Sequence, residues 1–135
     1  MSKILWKPTD ENILKSNIEV LRKSINQDLG LKLSSYNELH DWSITNISDF
    51  WEFVWKDVEV IHSKKYTSVV DDPFKMPGAK WFKSSRLNFA ENLLRNNSDK
   101  IALEFYAENK ISKKISYKKL NNLVCKVSHS LKNMG

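Results

Sequence analysis

Ile101-Ala102-Leu103-Glu104-Phe105-Tyr106-Ala107, then Glu108-Asn109-Lys110, then Ile111-Ser112-Lys113-Lys114-Ile115, is the stretch on which the reading of the fold turns. Two apolar or alternating segments around a short polar connection predict a β-hairpin. Ser116 follows as an N-cap, and Leu120, Leu123, Val124, Val127 and Leu131 then recur at helical spacing, with Gly135 at a C-cap position. A two-stranded hairpin is marginal in water unless further strands or a packed face support it. The last forty residues therefore read as a sheet that is begun and not completed.

Upstream of this stretch the periodicity is helical. Thr9 is an expected N-cap, with Asp10 and Glu11 in the first turn, where carboxylates favour the helix dipole. Leu14, Ile18, Leu21, Ile25 and Leu29 predict one amphipathic helix that runs on to Gly30, a left-handed cap position. Ser35 with Glu38 fits a capping box before a short helix carrying Leu39 and Trp42. Ser48 is a second start signal, with Asp49 and Glu52 behind it, and Phe50, Trp51, Val54, Trp55 and Val58 are expected to share one face. Asp71-Asp72-Pro73 and Met76-Pro77-Gly78 are turn chemistry, so residues 66–86 are expected to be a long connecting loop. Helical spacing returns through Leu87, Ala90, Leu93 and Leu94. The expected order is about four helices, a loop, a hairpin and a helix: an α/β chain that is mostly helical.

Composition bounds the function. The 135 residues suffice for one ordinary domain, and 41% hydrophobic with 28% charged residues is globular, not disordered. The longest apolar runs, such as Ile4-Leu5-Trp6 and Phe53-Val54-Trp55, are far below the ~20 residues of a membrane span. No signal peptide is expected, because the apolar stretch after Met1-Ser2-Lys3 stops at Lys7. A soluble, cytoplasmic protein is the expectation. Cys125 is the single cysteine, which excludes an internal disulfide or a multi-cysteine metal site. Only 3 Gly and 3 Pro are present, so glycine-rich phosphate loops are scarce. The net charge of +6 is lopsided: residues 1–70 hold 9 basic and 10 acidic side chains, residues 71–135 hold 13 and 6.

Few residues invite a chemical reading. His40, His62 and His129 are far apart, and Cys125 with His129 makes an i, i+4 pair, two ligands where a zinc site needs about four. As a nucleophilic dyad the same pair lacks an orienting acid and an oxyanion site. Lys110, Lys113, Lys114, Lys118 and Lys119, with Tyr106 and Tyr117, suggest single-strand nucleic-acid binding. Only Arg22, Arg86 and Arg95 supply guanidinium, however, and a lysine-rich strand is more often a solvated edge. Neither nucleic acid nor membrane is an expected partner. Trp51 and Trp55 read as core, whereas Trp6 and Trp81 fall in irregular segments that are expected to anchor on another surface.

Leu5-Trp6-Lys7-Pro8, Trp42-Ser43, Phe50-Trp51 and Val54-Trp55 come in that order along the chain. They are followed by Met76-Pro77-Gly78-Ala79-Lys80-Trp81-Phe82 and by Leu87-Asn88-Phe89-Ala90-Glu91-Asn92-Leu93-Leu94. Together they resemble the start of acyl-CoA synthetases of the adenylate-forming superfamily, and within it the acetoacetate–CoA ligases. The Trp-Phe…Leu-Asn spacing is shared with the acetyl- and propionyl-CoA synthetases, which are the alternative branch. Ile115-Ser116-Tyr117-Lys118-Lys119-Leu120 resembles the (T/S)-Y-x-x-L helix start of the superfamily. Lys83-Ser84-Ser85 stands where the family usually has a Pro-Gly pair.

The resemblance implies an N-terminal helical cap over residues 1–95 and, from 96 to 135, the first hairpin and helix of an AMP-binding large domain. It implies a parent enzyme that joins ATP and acetoacetate into acetoacetyl-adenylate and pyrophosphate, after which coenzyme A displaces AMP. That chemistry needs Mg²⁺, a phosphate-cradling loop and a mobile lysine. This sequence holds no G-x-x-x-x-G-K-[ST] and only Gly30, Gly78 and Gly135. In the family those motifs come later. No catalytic, cofactor-binding or metal-binding residue is therefore assigned; the region is expected to be structural and inactive alone, with the remainder of the synthetase as its partner. Trp6, Trp42, Trp51, Trp55, Trp81, Phe82, Leu87 and Phe89 are expected to dock the cap, each buried aromatic contributing about 2–3 kcal/mol. A stand-alone adaptor that kept the cap is the reading from another class.

Overall fold

A computed structural model describes residues 5–108 and 112–135. The expected connection at Asn109-Lys110 and the strand start at Ile111 lie outside these residues, as do Met1 to Ile4. The order is α1 (Asp10–Leu14), α2 (Asn17–Leu29), α3 (Tyr36–Thr45), α4 (Ile47–Asp57), β1 (Ser68–Val70), β2 (Trp81–Lys83), α5 (Phe89–Leu93), β3 (Ile101–Tyr106), β4 (Ser112–Ser116) and α6 (Tyr117–Met134). The contacts divide the chain into two units. One holds the residues up to Glu59 together with Tyr66–Ser84, and the other holds Val60–Lys65 and Ser85–Gly135.

In the first unit the single N-terminal helix of the sequence reading is two. Thr9 caps α1 as expected, its Oγ1 accepting from the Asn12 amide at 3.3 Å. Ser16 then interrupts the run: its hydroxyl donates to the Ile13 carbonyl at 2.7 Å and accepts from the Glu19 amide at 3.3 Å. A serine that bonds nearby backbone ends one helix and starts the next, which apolar spacing cannot reveal. Gly30 closes α2 with φ +67°, and nothing lies near the position of a Cβ there, so the requirement is conformational.

Polar side chains fix the α2–α3 connection. Asn26 mimics a backbone partner, donating to the Leu33 carbonyl at 2.8 Å and accepting from the Leu33 amide at 2.9 Å. Arg22 also donates to that carbonyl and forms a fork with Glu19. The Arg22 hydrogen bond holds the Glu19 carboxyl below its ordinary pKa. Ser35 caps α3 by accepting from the Glu38 amide, but Glu38 reaches back one residue further than a capping box, to the amide and hydroxyl of Ser34. These bonds lower its pKa.

Helix α4 begins at Ile47 rather than Ser48, with Asn46 serving as the C-cap of α3 and the N-cap of α4. It buries two sides, not one face. Phe53 joins Ile25 and Leu39 in the core, with Leu21, Leu31, Leu33, Trp42 and Phe50 packed around them. Trp55, about 200° away around the helix, packs on Phe82 and Tyr66 at ring-centroid distances of 4.5 and 5.2 Å.

Residues 66–86, expected to be loop, contain the antiparallel β1–β2 pair, with Ser68 opposite Lys83 and Val70 opposite Trp81. Asp71 sets its turn: one carboxylate oxygen accepts from the Asp72 and Lys80 amides, both at 2.8 Å. Three-residue strands without alternation carry no period-2 signal.

In the second unit, Asn88 caps α5 by accepting from the amides of Ala90 and Glu91. Asn92 clamps the 60–65 segment, accepting from the Ile61 amide and donating to the Ile61 carbonyl, both at 2.8 Å. Lys64 and Arg86 pair as an isolated antiparallel bridge. Strands β3 and β4 are antiparallel, with Leu103 opposite Ile115, Glu104 opposite Lys114, and an irregularity between Ile101 and Leu103. Ser116 caps α6 as expected, accepting from the Lys119 amide at 3.3 Å. The architecture is mostly helical with two small antiparallel sheets.

Candidate functional site

The histidines stay apart. His40 sits on α3 beside Asp41 and Tyr36, His62 Nδ1 bonds the Val60 carbonyl at 2.7 Å, and His129 Nε2 accepts from Asn133 at 3.1 Å. Cys125, one helical turn before His129, is exposed. Among the described residues no three His, Cys, Asp or Glu side chains are grouped as a metal ion would require. The three glycines, Gly30, Gly78 and Gly135, are dispersed along the chain.

The lysine cluster is partly used by the fold. Lys114 pairs with Glu104, which also accepts from the Tyr106 hydroxyl at 2.5 Å. Those bonds lower the pKa of Glu104 and raise that of Lys114. Lys113 lies on β4, and Lys118 and Lys119 lie in the first turn of α6; Lys110 falls outside the described residues.

The aromatic set proposed for docking splits. Trp55 is buried, and Phe82 and Trp42 are half-buried inside the first unit. Trp51 and Trp81 meet edge to face at 6.0 Å and remain partly exposed. Trp6 and Phe89 are 77% and 75% exposed. The first unit also carries a groove of about 650 Å³ whose lining includes Leu29, Leu31, Trp42 and Phe53 together with Asp28 and Asp49. Its parts come from α2, α3 and α4, so no local sequence signal marks it.

Residues 36–93 match the acetyl-coenzyme A synthetase N-terminus family. An acetoacetyl-CoA synthetase of Xenopus tropicalis is 35% identical over 99% of this chain, and one from Rhizobium meliloti is 33% identical over 97%. In solved structures, the acetoacetyl-CoA synthetase of Streptomyces lividans superposes with a TM-score of 0.87 at 28% identity, over 99% of this chain and 21% of that one. The chain is similar along its length to the N-terminal region of acetoacetyl-CoA synthetases. It spans about a fifth of the length of these relatives.

A malonamoyl-CoA synthetase of Penicillium aethiopicum is 38% identical over 67% of the chain, so the region is shared by synthetases named for different acids. What the likeness covers is the synthetase N-terminal architecture: the helical bundle, the two hairpins and α6. Within it the Trp81-Phe82 and Leu87–Leu94 motifs acquire structural roles. Phe82 stacks on Trp55, Asn88 caps α5 and Asn92 clamps Ile61. Ser84, at the position of the usual Pro-Gly, takes the left-handed conformation with φ +67° in a turn, and Phe82 is left-handed as well at +45°. The turn forms without glycine.

Proposed function

We propose that the chain supplies the N-terminal portion of an AMP-forming acid–CoA ligase that activates acetoacetate. ATP and acetoacetate give acetoacetyl-adenylate with release of pyrophosphate, and coenzyme A then displaces AMP to give the thioester. ATP, Mg²⁺, coenzyme A and acetoacetate are bound by the remainder of the synthetase. The present region is structural and inactive alone, with residues 1–95 forming the helical cap and 96–135 opening the AMP-binding domain. The enzyme is cytoplasmic and supplies acetoacetyl-CoA to lipid metabolism. Among the described residues no helix is long and apolar enough to cross a membrane.

The observation that carries this reading is the likeness along 99% of the chain to synthetases five times its length, joined to a sequence without a phosphate loop. The test is a chimera in which this chain replaces the matching fifth of the Xenopus tropicalis synthetase. Acetoacetate-dependent pyrophosphate release by the chimera, and none by the chain alone, is expected. Turnover by the 135 residues alone would overturn the structural assignment, and a soluble chimera without acetoacetate-dependent activity would overturn the functional one.

A further inference from the structure

We propose that the groove lined by α2, α3 and α4 binds a linear polyamine of spermidine length. This stands on the first unit alone and does not depend on the ligase reading. At about 650 Å³ the groove is of small-molecule size, and Leu29, Leu31, Trp42 and Phe53 share its lining with four carboxylates and one cation. The cation, Lys56, is paired with Glu52 at 3.1 Å, and Glu52 also accepts from the Tyr66 hydroxyl at 2.9 Å. That leaves Asp28, Asp49 and Asp57, none of which joins an ion pair among the described residues. Asp28 is the penultimate residue of α2 and Asp57 the last of α4, where the negative end of the helix dipole disfavours a carboxylate. Helix α2 has no basic residue in its last turn to offset this. Two helix ends and three aspartates thus give the groove a negative potential that the fold does not compensate.

The form of the cation follows from spacing. Among the described residues no three His, Cys, Asp or Glu side chains are grouped as a metal ion would require, so the aspartates do not converge on one compact ion. Asp49 and Asp57 instead line the groove at i and i+8 of α4, about 12 Å apart along its axis. A triamine such as spermidine spans about 11 Å between its end nitrogens when extended, with single bonds of about 1.5 Å in a zigzag. Its ends match the two carboxylates. Its methylene segments complement Leu29, Leu31 and Trp42, and an indole face also attracts an ammonium. A second hollow of about 260 Å³ adjoins the groove, sharing Asn46 and Asp49 and lined by Pro73 and by Phe74, which is 85% exposed. An elongated lining of this kind suits a linear ligand better than a compact one.

The experiment titrates the isotope-labelled 135-residue chain with spermidine at low salt and follows amide and indole NMR shifts. Saturable shifts confined to the Trp42 indole N–H, Asn46, the end of α2 and the amides from Asp49 to Asp57 are expected. Putrescine, the shorter diamine, is expected to bind at least about fivefold more weakly, since it cannot reach both ends of the pair. Asp49→Asn with Asp57→Asn is expected to weaken spermidine about tenfold, and Asp28→Asn, on another helix, about threefold, as exposed charge pairs allow. Asp10→Asn, on α1, is expected to change nothing. Shifts spread equally over Asp10, Asp41 and Asp72 would mean unspecific counter-ion binding and overturn the proposal. Equal affinity for the two amines would overturn it too, because the spacing would then play no part. So would displacement of spermidine by an equal concentration of Mg²⁺, or a lysine-rich peptide that produces the shifts where spermidine does not.

Discussion

All four buried apolar side chains among the described residues, Ile25, Leu39, Phe53 and Trp55, lie in the first unit. In the second, Leu103, Phe105, Val127 and Leu131 are each more than half exposed. The first unit has helices on one side of α4 and a hairpin on the other, so a single helix organises two packed clusters. The second unit is held largely by hydrogen bonds, from Asn92 to Ile61 and from Asn121 to Leu94 and Asn96. Hydrogen bonds contribute about 1 kcal/mol each, net of water, and they do not replace a core. The contrast teaches that one unit can be stable on its own side chains while the other needs apolar cover.

Five tryptophans report on this contrast selectively, since Trp6, Trp42, Trp51, Trp55 and Trp81 all lie in the first unit. Phe53→Ala should have the largest effect, about 3–5 kcal/mol of destabilisation through lost burial and the cavity left behind. Urea unfolding followed by tryptophan fluorescence would show it; a loss under 1 kcal/mol would break the assignment of Phe53 to the core. Asn92→Ala should cost about 1–2 kcal/mol in the second unit, because it strips both partners from Ile61. Faster exchange at the Ile61 amide with an unmoved tryptophan transition is the expected pattern, and a shifted tryptophan transition would merge the two units energetically.

Ser84→Gly should stabilise the first unit by up to about 1 kcal/mol, since a left-handed conformation costs a non-glycine residue about 1–2 kcal/mol and glycine gives part of that back in chain entropy. A lower midpoint in the same urea titration would contradict the strain assigned there.

The smallest effects are those of pH. Glu19, Glu38 and Asp71 have folded-state pKa values below their ordinary range, because Arg22, Ser34 and the Lys80 amide respectively hydrogen-bond their charged forms. Their contributions are complete above the unfolded values near ~4 and are lost as pH falls through the lower folded values. At the alkaline end, burial first and the hydrogen bond to Glu52 second push Tyr66 up to about 12. Its contribution is present below the unfolded value near ~10 and is lost as pH rises towards about 12. Tryptophan-detected stability should therefore decline below about pH 4 and above about pH 10, and Tyr66→Phe should flatten the alkaline limb. An unchanged alkaline limb in that variant would remove Tyr66 from the account.

Much of this was legible because caps and helical stripes are local. Thr9, Gly30, Ser35 and Ser116 each do what their residue type and spacing announce. Ser16 was not legible, because a serine inside an apolar stripe reads as a solvent-facing residue until its hydroxyl is seen bonding backbone. The β1–β2 hairpin is hidden for a different reason: its strands are only three residues long, and Trp55, Tyr66 and Phe82 beside it meet across eleven or more residues of sequence. Phe53 falls outside the stripe of Phe50, Trp51, Val54, Trp55 and Val58 because α4 buries opposite sides, and a single stripe describes only one. The groove beside it leaves no local signal, because its lining is assembled from residues far apart in sequence, from Asp28 to Asp57.

Hydrogen exchange on the 135-residue chain, and on the same residues inside the Xenopus tropicalis chimera, tests the central contrast most directly. Slow exchange confined to α2, α3 and α4 in the chain alone, with α6 exchanging freely and becoming protected in the chimera, is the predicted result. An α6 protected from Leu123 onward in the chain alone, and unchanged in the chimera, would contradict it.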